Sequence, residues 1–211
     1  SAQQNKVQPN TYRRATDADP SDAQAWINLG FRLGQQADEE GAPTAERRKL
    51  RQEEIQAYRR ATDADPARAQ AWTNLGFCLG QQADEEDAPA KKRKLRQEQI
   101  QAYRHATDAD PAYARAWNLL SAAQVKAARE SRKAELLKQA IESASKAASL
   151  GSSRYNLSCA LAVAGKFDEA LSELGGCLDR GEIKKSFVES DPDWEALTED
   201  SGFEEVLRKF G

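Results

Sequence analysis

The sequence predicts an all-α fold, a stack of helical hairpins, and three observations lead there. The segment YRRATDADP occurs at 12–20 and 58–66, and YRHATDADP follows at 103–111, so a unit of about 45 residues recurs in register. Ala, Gln, Glu, Arg and Leu dominate, residues that lose little side-chain freedom in a helix, and only 7 prolines interrupt 211 residues. Between the repeated segments, Trp26, Leu29, Gly30, Leu33 and Ala37 fall on one narrow stripe at 100° per residue.

Each unit reads as two helices. Residues 11–56 and 57–101 agree at about 36 of 45 aligned positions, which points to duplication. The spacing predicts nearly continuous helix over 22–40, 43–64, 68–86 and 89–109. Pro43 and Pro89 suit a first helical turn, where the missing N–H would be unpaired anyway. Pro20, Pro66 and Pro111 stop the second helix of each unit. Leu50, Tyr58 and Ala61 share a face of that second helix, and Gly30 allows close approach. Trp72 is expected to be largely buried between helices.

These residues resemble the tetratricopeptide repeat (TPR) family, whose pattern is W-x2-L-G-x2-Y, then A-x3-F-x2-A and a proline. Trp26, Leu29, Gly30 and Leu33 match the first half, and Tyr58, Ala61 and Pro66 the second; Trp72, Leu75, Gly76, Leu79, Tyr103, Ala106 and Pro111 repeat the match. A weaker third copy has Trp117, Leu120, Ser121, Ala140, Ala144 and Ala147, and a fourth has Leu157, Ser158, Leu161, Gly165, Ala170, Leu174 and Cys177. The resemblance implies a right-handed helical-hairpin solenoid: an orphan half-repeat at 9–19, repeats at 22–66, 67–111, 112–150 and 151–181, and a C-terminal helical cap at 182–211, all in one domain.

The first two units exceed the family length by 11–12 residues between their helices, so each helix should grow by roughly one and a half turns. The cap, SDPDWEALTEDSGFEEVLRKF, should form two short helices over the end of the stack, as solenoids need.

Composition narrows the function. A net charge of −3 lacks the basic footprint of a nucleic-acid binder. No apolar run is long enough to insert in a membrane. Residues 1–10 are too polar for a signal peptide, and a chain starting at Ser1 without any Met reads as processed or trimmed. Cys78, Cys159 and Cys177 lack metal-ligand spacing and read as reduced, buried thiols, which leans toward a cytoplasmic location without fixing one.

Catalytic and metal signals are weak. The single histidine, His105, stands where Arg13 and Arg59 stand in the sister units, so it reads as a surface substitution. The DAD triplets at 17–19, 63–65 and 108–110 precede prolines and read as turns. Asp84–Asp87 lacks the glycine and spacing of a calcium loop. Lys91, Lys92, Arg93, Lys94 and Arg96 lie close to those acids and read as a self-paired face. No enzyme, cofactor or metal site is expected.

The sharpest clue is an aromatic away from the packing stripe. Phe31 and Phe77 lie about 140° around the first helix from Trp26 and Trp72. In the family this position lines the concave groove, and the resemblance adds Gln24, Ile27, Asn28 and Gln35, then Gln70, Thr73, Asn74 and Gln81, then Arg115 and Asn118. Some members hold a chaperone's C-terminal carboxylate with Lys and Asn in the groove; Ile27, Phe31, Thr73 and Phe77 stand there instead, which argues against that ligand. The expected function is a protein-interaction scaffold for a peptide segment or partner helix, with a self-associating structural subunit (a homo-oligomer or part of a larger assembly) as the second reading.

Overall fold

Proline and aspartate punctuate this chain, and helices fill the intervals between them. The computed structural model describes residues 9–39 and 44–210, and no strand occurs among them. The chain forms two compact units, one ending at Asp110 and the other starting at Pro111.

In the first unit α1 (Pro9–Ala18) is followed by α2 (Ala23–Ala37), α3 (Thr44–Ala64), α4 (Ala69–Asp84) and α5 (Pro89–Ala109). The Asp22 side chain caps α2 by accepting from the Gln24 and Ala25 N–H groups at 2.8 and 3.1 Å. Pro89 opens α5 as expected, whereas Pro43 lies outside the described residues. The added length is shared unevenly: α4 has 16 residues and α5 has 21, so α5 alone spans about 31 Å.

Two glycines per hairpin set how closely its helices approach. A Cβ on Gly30 would lie 2.8 Å from the Tyr58 ring, and one on Gly76 would lie 2.6 Å from the Tyr103 ring. One turn further on, Gly34 and Gly80 make the same room for Glu54 and Gln99. Glu54, though buried, keeps a partner: Arg51 donates to it at 2.8 Å and also pairs with Asp38. The second hairpin repeats the arrangement, with Arg96 bonded to Gln99 at 3.1 Å and paired with Asp84.

The tryptophans pack at the seam between hairpins. Trp26 and Trp72 are partly buried against the cluster of Ile27, Ile55 and Leu75, and each indole N–H is turned back to a backbone carbonyl six residues earlier. Trp26 donates to Pro20 at 2.9 Å and Trp72 to Pro66 at 2.9 Å. In the second unit Trp117 donates to Pro111 at 3.0 Å. Each bond ties the turn that ends one helix to the first turn of the next, and that geometry keeps part of the ring at the surface. The fully buried aromatics of the hairpins are Tyr58 and Tyr103.

The second unit comprises α6 (Ala114–Ser131), α7 (Ala134–Ser149), α8 (Tyr155–Val163), α9 (Phe167–Asp179), α10 (Lys185–Val188), a 3₁₀ turn (Pro192–Leu197) and α11 (Ser201–Arg208). Helices α7 and α9 end on Gly151 and Gly181, whose positive φ of 87° and 67° a side chain would disfavour. The segment at 190–210 holds two short elements, the 3₁₀ turn and α11, and the four-residue α10 precedes it. Trp194, Leu197 and Phe203 bury against Leu174, Cys177 and their neighbours, and the Trp194 ring stacks on Phe203 at 5.4 Å. Asp191, which caps the 3₁₀ turn, accepts from the Tyr155 hydroxyl at 2.8 Å, and that hydroxyl accepts from the Trp194 indole at 3.1 Å.

Candidate functional site

Residues spaced 4, 3 and 4 apart share one face of a helix. On α2 these are Gln24, Asn28, Phe31 and Gln35, and on α4 they are Gln70, Asn74, Phe77 and Gln81. Phe31 and Phe77 are 54% and 52% exposed, large apolar side chains left in water at matching positions. Amides surround them. Gln24 donates to Asn28 at 3.1 Å, Arg32 donates to Gln35 at 2.7 Å, and Arg68 reaches back to Gln24 at 2.6 Å.

Two residues of the sequence-derived set on this unit are not presented to solvent. Ile27 is 3% exposed and clusters with Ile55, Ala71 and Leu75; its position points at the next hairpin. Thr73 is 2% exposed, and its hydroxyl donates to the Ala69 carbonyl at 2.8 Å. Ile27 is a packing residue against the next hairpin, and Thr73 is buried with its hydroxyl bonded within α4. Arg115 and Asn118 lie on α6 of the second unit, exposed and half-buried respectively.

Sequence reasoning could not foresee the state of two amides. The Gln81 Oε1 and Asn118 Oδ1 atoms are buried and accept no hydrogen bond. A buried acceptor without a donor costs about 1–3 kcal/mol. Gln81 also lines a cavity of about 400 Å³ with Arg48, Arg51, Cys78, Glu86 and Lys91, where the extended ends of α3 and α4 part.

The other chemical candidates are engaged in structure. His105 is exposed and stacks on Trp72 with ring centres 4.5 Å apart. Asp19 accepts from the Ser21 hydroxyl and N–H at 2.6 and 3.0 Å, bonds that lower its pKa and fold the turn. In the basic run, Lys91 pairs with Glu86, Arg96 with Asp84 and Lys94 with Glu98. Cys159, Asp191 and Asp193 bring three potential ligand atoms within 4.8 Å of one another. However, Asp191 is bonded to Tyr155, Asp193 pairs with Arg129 at 2.9 Å, and burial pushes the Cys159 thiol up, away from the thiolate a metal needs. All three cysteines are free and buried. Among the described residues no helix is long and apolar enough to cross a membrane.

The chain is similar to the crystal structure of YrrB, described as "a TPR protein with an unusual peptide-binding site", at 17% identity and a TM-score of 0.63 over 95% of this chain and 91% of that one. The fold is that of a tetratricopeptide-repeat protein. Two structures of MamA agree with this TPR architecture. One is 21% identical with a TM-score of 0.61 over 82% of this chain and 86% of that one; the other is 19% identical with a TM-score of 0.60 over 92% and 84%. The sequence itself matches no family profile and no curated protein.

Proposed function

We propose that this chain is a protein-interaction scaffold and that the α2 and α4 face takes a peptide segment or a partner helix. The observation that carries this reading is the pair of exposed phenylalanines at equivalent positions, set among amides. An aromatic anchor in a polar rim is the usual arrangement of an interface hot spot. YrrB, a protein of this fold described as having a peptide-binding site, supports the same class of ligand.

The test is selection of binders from a displayed peptide library against the full chain, followed by titration of the selected peptide. Phe77→Ala should weaken binding by more than about 1 kcal/mol. It should leave the thermal midpoint within a few degrees, because a half-exposed ring contributes little to the core. A large loss of stability with unchanged affinity would make both rings packing residues and move the search to another face.

A further inference from the structure

The residues added to the first two repeats build more than longer helices. Where the extended ends of α3 and α4 part, they enclose the cavity of about 400 Å³, a size usual for small-ligand sites. Each wall is a single helical stripe. Arg48, Arg51, Gln52 and Ile55 stand at i, i+3, i+4 and i+7 on α3. Cys78, Gln81, Gln82 and Glu85 repeat that spacing on α4 and its C-cap. Ile55 and Cys78 belong to the buried core and form the floor.

The charges around this cavity are only partly matched. Arg51 is held by Glu54 and Asp38. Glu86 is paired with Lys91 and accepts from the Ala88 N–H at 3.0 Å, bonds that hold its carboxyl below its ordinary value. Arg48, Glu85 and Asp87 also line the cavity; all three are exposed and make no ion pair among the described residues. The Arg48 charge is close enough to act on Glu86. The unpaired guanidinium of α3 therefore stands across the gap from the carboxylates of the α4–α5 turn.

We propose that this cavity binds a free α-amino acid with a basic side chain, such as arginine or lysine. One unpaired guanidinium and two unpaired carboxylates call for a ligand with one anionic and two cationic groups. The α-carboxylate meets Arg48, whose planar fork matches it. The α-ammonium and the side-chain cation meet Glu85 and Asp87. Gln52 and Gln82 offer both donors and acceptors within the same stripes, and Ile55 with Cys78 takes the methylene stem. A simple anion would leave both carboxylates unmatched, and a polyamine would leave the guanidinium unmatched. The site lies between hairpin tips and depends on neither exposed phenylalanine.

The probe is L-arginine, titrated calorimetrically into the full chain, with agmatine (arginine without its carboxylate) and L-glutamate beside it. Saturable binding of arginine with a Kd of about 1 mM or tighter is expected, and none of glutamate. Arg48→Gln should weaken arginine at least about threefold and leave agmatine unchanged, since only arginine has a carboxylate partner to lose. Glu85→Gln/Asp87→Asn should weaken both ligands. Because these residues are exposed, the variants should keep their far-UV circular dichroism and thermal midpoint. The Phe31→Ala/Phe77→Ala protein should bind arginine normally. The proposal is overturned by no saturable arginine binding up to about 10 mM, which would leave a crevice that holds water only. Comparable binding of glutamate, or arginine affinity that neither charge variant changes, would overturn it too. So would an equal loss of agmatine and arginine in Arg48→Gln, because the guanidinium would then not be holding a carboxylate.

Discussion

Alanine in place of Gly76 tests the closer of the two glycine–tyrosine contacts in the first unit. Gly→Ala in the middle of a helix ordinarily stabilises by about 1 kcal/mol. Here the added Cβ would lie 2.6, 2.8 and 3.0 Å from three ring atoms of Tyr103. Carbon atoms rest at about 3.5–4.0 Å, so the shortfall approaches 1 Å. The ring is 2% exposed and has no free space to retreat into. Overpacking of this kind costs about 1–3 kcal/mol, which exceeds the propensity gain, so a net loss of about 1–2 kcal/mol is expected. Gly175, inside α9, is the control: a Cβ there would meet nothing within 4 Å, so Gly175→Ala should gain up to about 1 kcal/mol. Urea titration followed by far-UV circular dichroism reads both, with Trp194 fluorescence reporting the second unit. If Gly76→Ala matches or exceeds the parent midpoint, the helix spacing deduced from the glycine–tyrosine contacts is wrong.

Other expectations follow from single contacts. Trp72→Phe removes the indole bond to Pro66 and should cost about 1 kcal/mol, whereas Trp72→Ala should cost about 2 kcal/mol, less than truncation of a fully buried tryptophan; urea melts check both. The native thiols should not react with Ellman's reagent, because all three are buried and burial pushes Cys177 up to about 11 and raises Cys78, aided by Glu54; labelling should track unfolding, and fast labelling of any one in the folded protein would contradict this. Glu182 is held down at about 2 by Arg180, the Ser153 hydroxyl and the Arg154 N–H. A carboxyl depressed by folding stabilises above its ordinary value of 4.5 and loses that contribution as the pH falls toward about 2. Glu182→Gln should therefore flatten the stability profile across that window, and an unchanged acid-unfolding curve would show that the contacts contribute nothing.

The hairpins were legible because a duplicated sequence states its own register. The predicted 68–86 and 89–109 meet Ala69–Asp84 and Pro89–Ala109 within two residues at each end. Periodicity could also place Phe31 and Phe77 off the seam, where both are exposed. It could not tell that Ile27 is covered by the next hairpin or that Thr73 is buried, since a helical wheel knows nothing of what packs beyond its own helix. The bond from Trp72 to Pro66 was not legible, because it depends on the turn between helices.

Near-identity of the two long hairpins has a consequence for how the chain reaches its native state. Helix α5 presents to α2 nearly the same tyrosine, alanines and leucine that α2 finds on α3, so two pairings compete while the chain is still open. The native choice joins neighbours in sequence, and closing the shorter loop costs less entropy and happens sooner. The alternative, α2 on α5, strands α3 and α4 in the intervening loop and is a kinetic trap of the sort that repeat proteins encounter. Position 54 offers a discriminator, because it is glutamate while its counterpart, position 99, is glutamine. Arg51 neutralises the buried Glu54 beside Gly34, and an exchanged pairing would bring Gln99 to Gly34 in its place. This position is thus one point at which two otherwise repeated seams differ in charge.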